Sequence, residues 1–180
     1  MIVVIEGVDG TGKSCISKLL AKALGAVLYS TPPERYLAER DDIDARAGAS
    51  EHYRFYLQAV RDASVEIGKL KEAGRSVVVD RYWLTTAVYH RAMGVSVGLS
   101  DFEGILLPDA TVYLSAASDV QRTRLIGRTP TAGDIRMWDL QEELRRNYEE
   151  LLVVVERVIR VDTTYISKEE VVKRICAGLD

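Results

Sequence analysis

The apolar run Ile2-Val3-Val4-Ile5 leads through Glu6 into Gly7-Val8-Asp9-Gly10-Thr11-Gly12-Lys13-Ser14, a G-x-x-x-x-G-K-[ST] spacing. A buried strand that passes through a glycine loop into a helix places an anion site at the strand's end. Such a loop turns successive backbone N–H groups inward, stops at a helix N-terminus, and adds a lysine charge and a hydroxyl suited to Mg2+. The spacing predicts that Gly7, Gly10, Thr11, Gly12, Lys13, Ser14 and Cys15 surround the phosphates of a nucleoside triphosphate. Lys13 is expected to bridge its β- and γ-phosphates and Ser14 to hold the metal.

The rest of the chain repeats the pattern of short strand and longer helix. Apolar, β-branched runs near 2–6, 26–29, 76–80, 110–114 and 158–162 lack clean alternation and read as strands buried on both faces. Helical periodicity occupies 13–24, 51–73, 83–92, 118–127, 138–157 and 167–177, with Gly25 and Gly74 as stops. The fold class expected is α/β, a parallel five-stranded sheet with helices on both faces. At 180 residues and 47% apolar composition, with no linker or composition break, residues 1–180 are expected to form a single domain. In such sheets ligands gather beyond the carboxyl ends of the strands.

Composition narrows the partners. A net charge of -3 with scattered basic residues offers no stripe for a nucleic-acid backbone, so no nucleic acid is expected. No apolar run is long enough to span a bilayer and no charged leader precedes the first strand, which predicts a cytoplasmic protein without membrane attachment. Cys15 and Cys176 fit neither a disulfide framework nor a metal spacing and read as packing residues.

A second site is expected where Val77-Val78-Val79 delivers Asp80-Arg81-Tyr82 to the ligand edge. A carboxylate there can hold Mg2+ through water or accept a hydroxyl proton, and a guanidinium beside it offers a planar fork for a second phosphate.

Taken together, Glu6 to Ser14 and Asp80-Arg81-Tyr82 resemble the thymidylate kinases and their nucleoside and nucleotide kinase relatives, over nearly the whole chain. Leu107-Pro108-Asp109 to Leu114 is similar to the family's P-D-x-x-x-x-L strand. The resemblance implies a P-loop NTPase fold and a kinase that uses ATP and Mg2+. It implies that Asp9 contacts the acceptor sugar, that Asp80 lies near metal and acceptor phosphate, that Arg81 binds phosphates, and that Thr86 and Tyr89 sit beside the acceptor's base and sugar. Relatives that act on nucleosides usually carry glutamate at the position of Asp80, so the aspartate favours a monophosphate acceptor, dTMP or a related pyrimidine nucleotide. The family also implies a homodimer.

After the fourth strand, Arg122, Arg124, Arg128 and Arg136 flank Gly127 and Gly133, and segment 128–137 resembles the family's mobile lid. Guanidinium groups on a closing loop neutralise the charge that phosphoryl transfer spreads over its oxygens. Arg128 and Arg136 match the lid positions, Arg124 the adenine-side arginine, and Arg122 reads as a solvated helix residue.

Departures from the family fall at the acceptor. Its F-x-x-x-R element would put the arginine at Arg61, yet Leu57 stands where the stacking aromatic belongs. Either Tyr53, Phe55 or Tyr56 rebuilds the stack, Tyr56 being the candidate carried forward, or the base is not thymine. Ser30 to Arg35 replaces the family's arginine-bearing acceptor loop, with Arg35 as the substitute. His90 follows Tyr89 where relatives often have glutamine, so the resemblance offers it the acceptor pocket and its sequence context a surface position; His52 carries no predicted role. Two alternatives remain. One is a nucleoside kinase, or a kinase for a modified base or sugar, on the same fold; the other is a non-catalytic nucleotide switch, for which Asp101-x-x-Gly104 follows no buried strand and the single asparagine, Asn147, rules out a guanine-reading N-K-x-D.

Overall fold

The computed structural model describes residues 1–127 and 136–180. Five strands, β1 (Ile2–Glu6), β2 (Val27–Ser30), β3 (Val77–Asp80), β4 (Ala110–Ser115) and β5 (Val158–Asp162), form one parallel sheet in the order β2-β3-β1-β4-β5. Each lies within a residue of its sequence-predicted position. Strand order reverses at β1, whose neighbours are β3 and β4, and the register Ile5 to Asp80 and Glu6 to Tyr113 aligns the carboxyl ends there. The phosphate loop therefore opens at the switch point, beside Asp80 and Arg81.

Alternation along the strands feeds two cores. Val3, Ile5, Val78, Val112 and Leu114 point toward α1 (Lys13–Ala23) and α7 (Lys168–Leu179). Ile2, Val4, Val77, Val79 and Tyr113 point the other way, toward α3 (Ala49–Glu72), α4 (Trp83–Ala92) and α6 (Gln141–Leu152). Both faces are covered, which is why the strands read as continuous apolar runs. Helix α5 (Ser118–Ile126) follows β4.

Two boundaries differ from the sequence reading. The stretch expected as one helix over 138–157 is a single 3-10 turn, Trp138–Leu140, followed by α6, and it leaves the helix at Leu152. Val153 and Val154 then face solvent, where β-branched side chains gain no packing to offset their low helix propensity. An unforeseen helix, α2 (Leu37–Arg46), fills the gap before α3. Its sequence, LAERDDIDAR, buries only Asp44, so it has no apolar stripe for periodicity to detect.

Candidate functional site

The phosphate loop is pressed against its neighbours. Gly7 and Gly10 hold φ of +142° and +82°; a Cβ on Gly7 would run into the Leu114 carbonyl, and one on Gly10 would meet the Gln121 carbonyl at 2.9 Å. Only glycine satisfies both the backbone angle and the space. Inside the loop, Lys13 is buried and its Nζ donates to the Val8 carbonyl at 2.8 Å, with Asp9 Oδ1 at 3.7 Å. Burial, reinforced by Arg81 and opposed by Asp9, pushes Lys13 down to about 8. Thr11 Oγ1 donates to the same Val8 carbonyl at 2.9 Å. Around this loop lies a cleft of about 200 Å3, bordered by Gly10, Gly12, Lys13, Ser14, Cys15 and Arg124. Arg124 closes its side by donating to the Gly10 carbonyl at 3.3 Å and to Thr163, which follows β5.

At the end of β3 the chain bends sharply. Arg81 adopts φ of +67°, a left-handed conformation costly for a side chain with a Cβ, and its N–H donates to the Ile5 carbonyl at 3.0 Å. The bend throws the guanidinium across the loop onto Asp9 Oδ1 and to within 3.2 Å of the Tyr89 hydroxyl, while that hydroxyl donates to Asp9 Oδ2 at 2.7 Å. Burial alone would push Asp9 up; the charges of Arg81 and Lys13 outweigh it and hold the carboxyl well below the carboxylate range. Asp80 is buried, and its Oδ1 has no hydrogen-bond partner among the described residues. An orphaned buried carboxylate oxygen is a hard donor that suits a divalent cation such as Mg2+.

Beneath these residues lies Glu6, fully buried. Its Oε1 accepts from the Tyr82 and Thr85 N–H groups at 3.0 and 3.3 Å, and its Oε2 from the Thr85 and Tyr148 hydroxyls at 2.5 and 3.0 Å. Glu6 thus caps the start of α4 with a side chain from β1, fixing the bend that aims Arg81. Burial pushes its carboxyl up against these hydrogen bonds.

Asp9 and Arg81 also border a second cleft, of about 190 Å3, on the far side of the loop. Thr86 and Tyr89 line it from α4, and Tyr56 lines it from α3. At the deep end stand Asp44, His52, His90 and Arg136.

A family model for thymidylate kinase matches residues 5–175. The chain belongs to the thymidylate kinase family. It is a phosphotransferase of the nucleoside monophosphate kinase type. A probable thymidylate kinase of Thermococcus gammatolerans is 29% identical over 84% of this chain and 82% of its own, and a cytidylate kinase of Stutzerimonas stutzeri is 26% identical over 97% and 93%. Among solved structures, thymidylate kinase from Candida albicans superposes with a TM-score of 0.83 at 16% identity, covering 99% of this chain and 93% of that one. Deoxyadenosine kinase from M. mycoides, solved with dCMP and dCDP, gives 0.75 at 20%, covering 99% and 98%. Both establish the P-loop kinase fold.

Against that family pattern, Gly7, Thr11 and Asp80 line neither cleft, whereas Gly10, Gly12, Lys13, Ser14, Cys15, Arg124, Arg81, Asp9, Thr86, Tyr89 and Tyr56 border one or both. Arg61 does not. Its guanidinium donates to the Asp101 carbonyl at 3.0 Å on the outer side of α3, because five residues of helix turn it away from Tyr56. Tyr53 donates to Asp101 Oδ2 and Phe55 packs edge-on to Tyr36, leaving Tyr56 as the aromatic that reaches the cleft. Arg35 turns from the acceptor loop to Asp62 and Glu66 on α3. Arg128 lies outside the described residues. Arg136, expected at the transferring phosphate, instead holds the Ala47 carbonyl after α2 and borders the second cleft. His90 is buried, contrary to a surface placement, as is His52, and Asp44 and His52 are cleft residues the sequence did not reveal. Asp44 sits on the helix that periodicity missed. Among the described residues no helix is long and apolar enough to cross a membrane.

Proposed function

We propose that this chain transfers the γ-phosphoryl group of ATP, with Mg2+, to the 5'-phosphate of a pyrimidine deoxynucleoside monophosphate, dTMP or a relative, giving the diphosphate and ADP. The observation that carries this reading is the shared wall: Asp9 and Arg81 border both the phosphate-loop cleft and the acceptor cleft. One guanidinium then faces the phosphates of donor and acceptor together. An acceptor phosphate oxygen attacks the γ-phosphorus while the bond to the β,γ-bridging oxygen breaks, so no protein nucleophile is required. Lys13 and the loop N–H groups hold the donor's β- and γ-phosphates, Arg81 gathers the meeting phosphates, and Arg124 borders the donor at the loop. Ser14 and Asp80 would hold Mg2+, which neutralises charge on the phosphate oxygens when bound. Asp9, kept ionised by Arg81 and Lys13 and oriented by Tyr89, accepts a hydroxyl of the acceptor sugar.

One observation favours the alternative of a nucleoside kinase: Arg35, the substitute for the family's acceptor-loop arginine, is engaged on α3 and leaves Arg81 with fewer partners for an acceptor phosphate. A switch finds no such support, since Asp101 is taken by Tyr53 and the Gly98 N–H. ADP release with Mg-ATP, measured across matched nucleosides and 5'-monophosphates, decides among them. Turnover confined to monophosphates is the expected result; turnover of nucleosides, or of neither set, overturns it.

A further inference from the structure

The deep end of the acceptor cleft is built as a polar relay. The Thr86 carbonyl lies 2.6 Å from His90 Nδ1, His90 Nε2 lies 2.7 Å from His52 Nδ1, and His52 Nε2 lies 3.1 Å from Asp44 Oδ1. The tautomers follow from the partners. A carbonyl only accepts, so His90 carries its proton on Nδ1 and offers Nε2 as an acceptor. His52 therefore donates from Nδ1, and facing a carboxylate on its other side it donates from Nε2 as well. The Tyr56 hydroxyl adds a second donor to the same Asp44 oxygen at 2.7 Å. Burial pushes the Asp44 carboxyl up, but the hydrogen bonds from His52 and Tyr56 outweigh it and hold the group below its ordinary value.

Two donors on Oδ1 fix the plane of the Asp44 carboxylate and leave its remaining lone pairs for whatever enters the cleft that it lines. A donor stands in the same cleft. Arg136 gives Nη2 to the Ala47 carbonyl, while its buried Nη1 has no partner among the described residues. Neither group lines the phosphate-loop cleft, whose border with this one is formed by Asp9 and Arg81.

We propose that Asp44 and Arg136 read the acceptor base, and that the base they select carries an exocyclic amine beside an unprotonated ring nitrogen, the edge shared by cytosine and adenine. The amine donates to the Asp44 carboxylate, and the ring nitrogen accepts from Arg136. Thymine and uracil present a ring N–H between two carbonyls. A carboxylate that takes that N–H turns its second oxygen toward a carbonyl oxygen, and no proton lies between them. His52 and Tyr56 are positioning residues that act through Asp44. The inference rests on the monophosphate-kinase reading and, within its pyrimidine class, selects dCMP over dTMP.

The test uses the full chain. Binding of dCMP, dAMP, dTMP and dUMP is measured by calorimetry with ADP present, and turnover of each with Mg-ATP. Tighter binding and higher kcat/KM for the amino nucleotides, by on the order of tenfold or more, is expected. Asp44→Asn supplies an amide that can donate as well as accept; it should lower kcat/KM for dCMP by a similar factor and spare or raise that for dUMP. The double variant Asp44→Asn/His52→Gln, which leaves no unpaired buried charge, should show the same reversal if the single variant fails to fold. Wild-type protein that binds and turns over dTMP or dUMP as well as dCMP overturns the base assignment and leaves the kinase intact. An equal loss on every nucleotide in the variants also overturns it, as the mark of a merely structural role. Selective binding of dCMP without any turnover upholds the base assignment and sinks the transfer reading.

Discussion

The two clefts that meet at Asp9 and Arg81 are built in opposite ways. The donor side is local: Gly7 to Cys15 supplies the loop, its lysine and its hydroxyl from one continuous stretch, and tertiary structure adds Arg124 and Arg81. The acceptor side is assembled from α2, α3, α4 and the residues just before α6, bringing together Asp44, His52, His90 and Arg136 across most of the chain. A local site keeps its chemistry as long as one turn keeps its backbone, so it tolerates divergence elsewhere. A distributed site changes whenever any of four elements changes, which makes it the place where relatives of one fold part company over substrate.

The strongest way to break that contrast is at the donor end. Lys13→Ala removes the positive charge buried inside the loop and should lower kcat by on the order of 100- to 1000-fold with the fold intact. Circular dichroism beside steady-state rates checks it; a loss under tenfold would show that the loop lysine is not at the transferring phosphoryl group. Arg81→Ala acts on the wall between the clefts. It should cost about 100-fold in kcat/KM for a monophosphate, because Asp9 then keeps its charge with one partner fewer and the meeting phosphates lose their guanidinium. A small effect on the acceptor KM would instead favour an unphosphorylated acceptor.

Between the two ends stands Glu6, which belongs to neither cleft but ties α4 to β1. Glu6→Gln places an amide NH2 against N–H and O–H donors, and should destabilise the fold by about 2 kcal/mol in urea denaturation. The acceptor KM should rise with it while the ATP KM holds, since the cap aims Arg81 and α4 but does not touch the loop.

Most of the fold was legible in the sequence, and the reason is burial on both faces. Strands that are apolar throughout announce themselves without alternation, and the helices between them carry an apolar stripe. α2 carries none, so the element that brings Asp44 to the site was invisible to the same argument. The donor site was legible because its spacing is covalent: Gly7 to Ser14 cannot be rearranged without changing the motif. Arg61 shows the limit on the other side, since its place in a linear F-x-x-x-R pattern did not survive the turn of α3 toward Asp101. His52 and His90 are separated by 38 positions, and only the packing of α3 on α4 makes them a pair.

That pair also gives the acceptor end a pH dependence the donor end lacks. Burial pushes His90 down to about 4, so the folded protein refuses a proton that the unfolded chain accepts near the ordinary value of 6.5. Between those values the unfolded state binds more protons, and stability must fall as pH falls. The loss attributable to His90 should be about 2 kcal/mol between pH 7 and pH 5. Glu6 works in the opposite direction just above 4.5, because its raised carboxyl takes up a proton in the fold before the unfolded chain does. The informative quantity is therefore the difference between wild type and His90→Gln in urea midpoints at pH 7 and pH 5, in which the Glu6 contribution cancels. The variant should keep more of its stability at pH 5 than the wild type does. Equal acid sensitivity in both would mean that the ring already carries a second proton at pH 7, and the proton order along Thr86, His90, His52 and Asp44 would have to be reversed. On the donor side the same window should be flat: Lys13 titrates near 8 and Asp9 stays ionised below it. An acid-dependent change in ATP affinity between pH 7 and pH 5 that His90→Gln removes would therefore show that the two ends are coupled through their common wall.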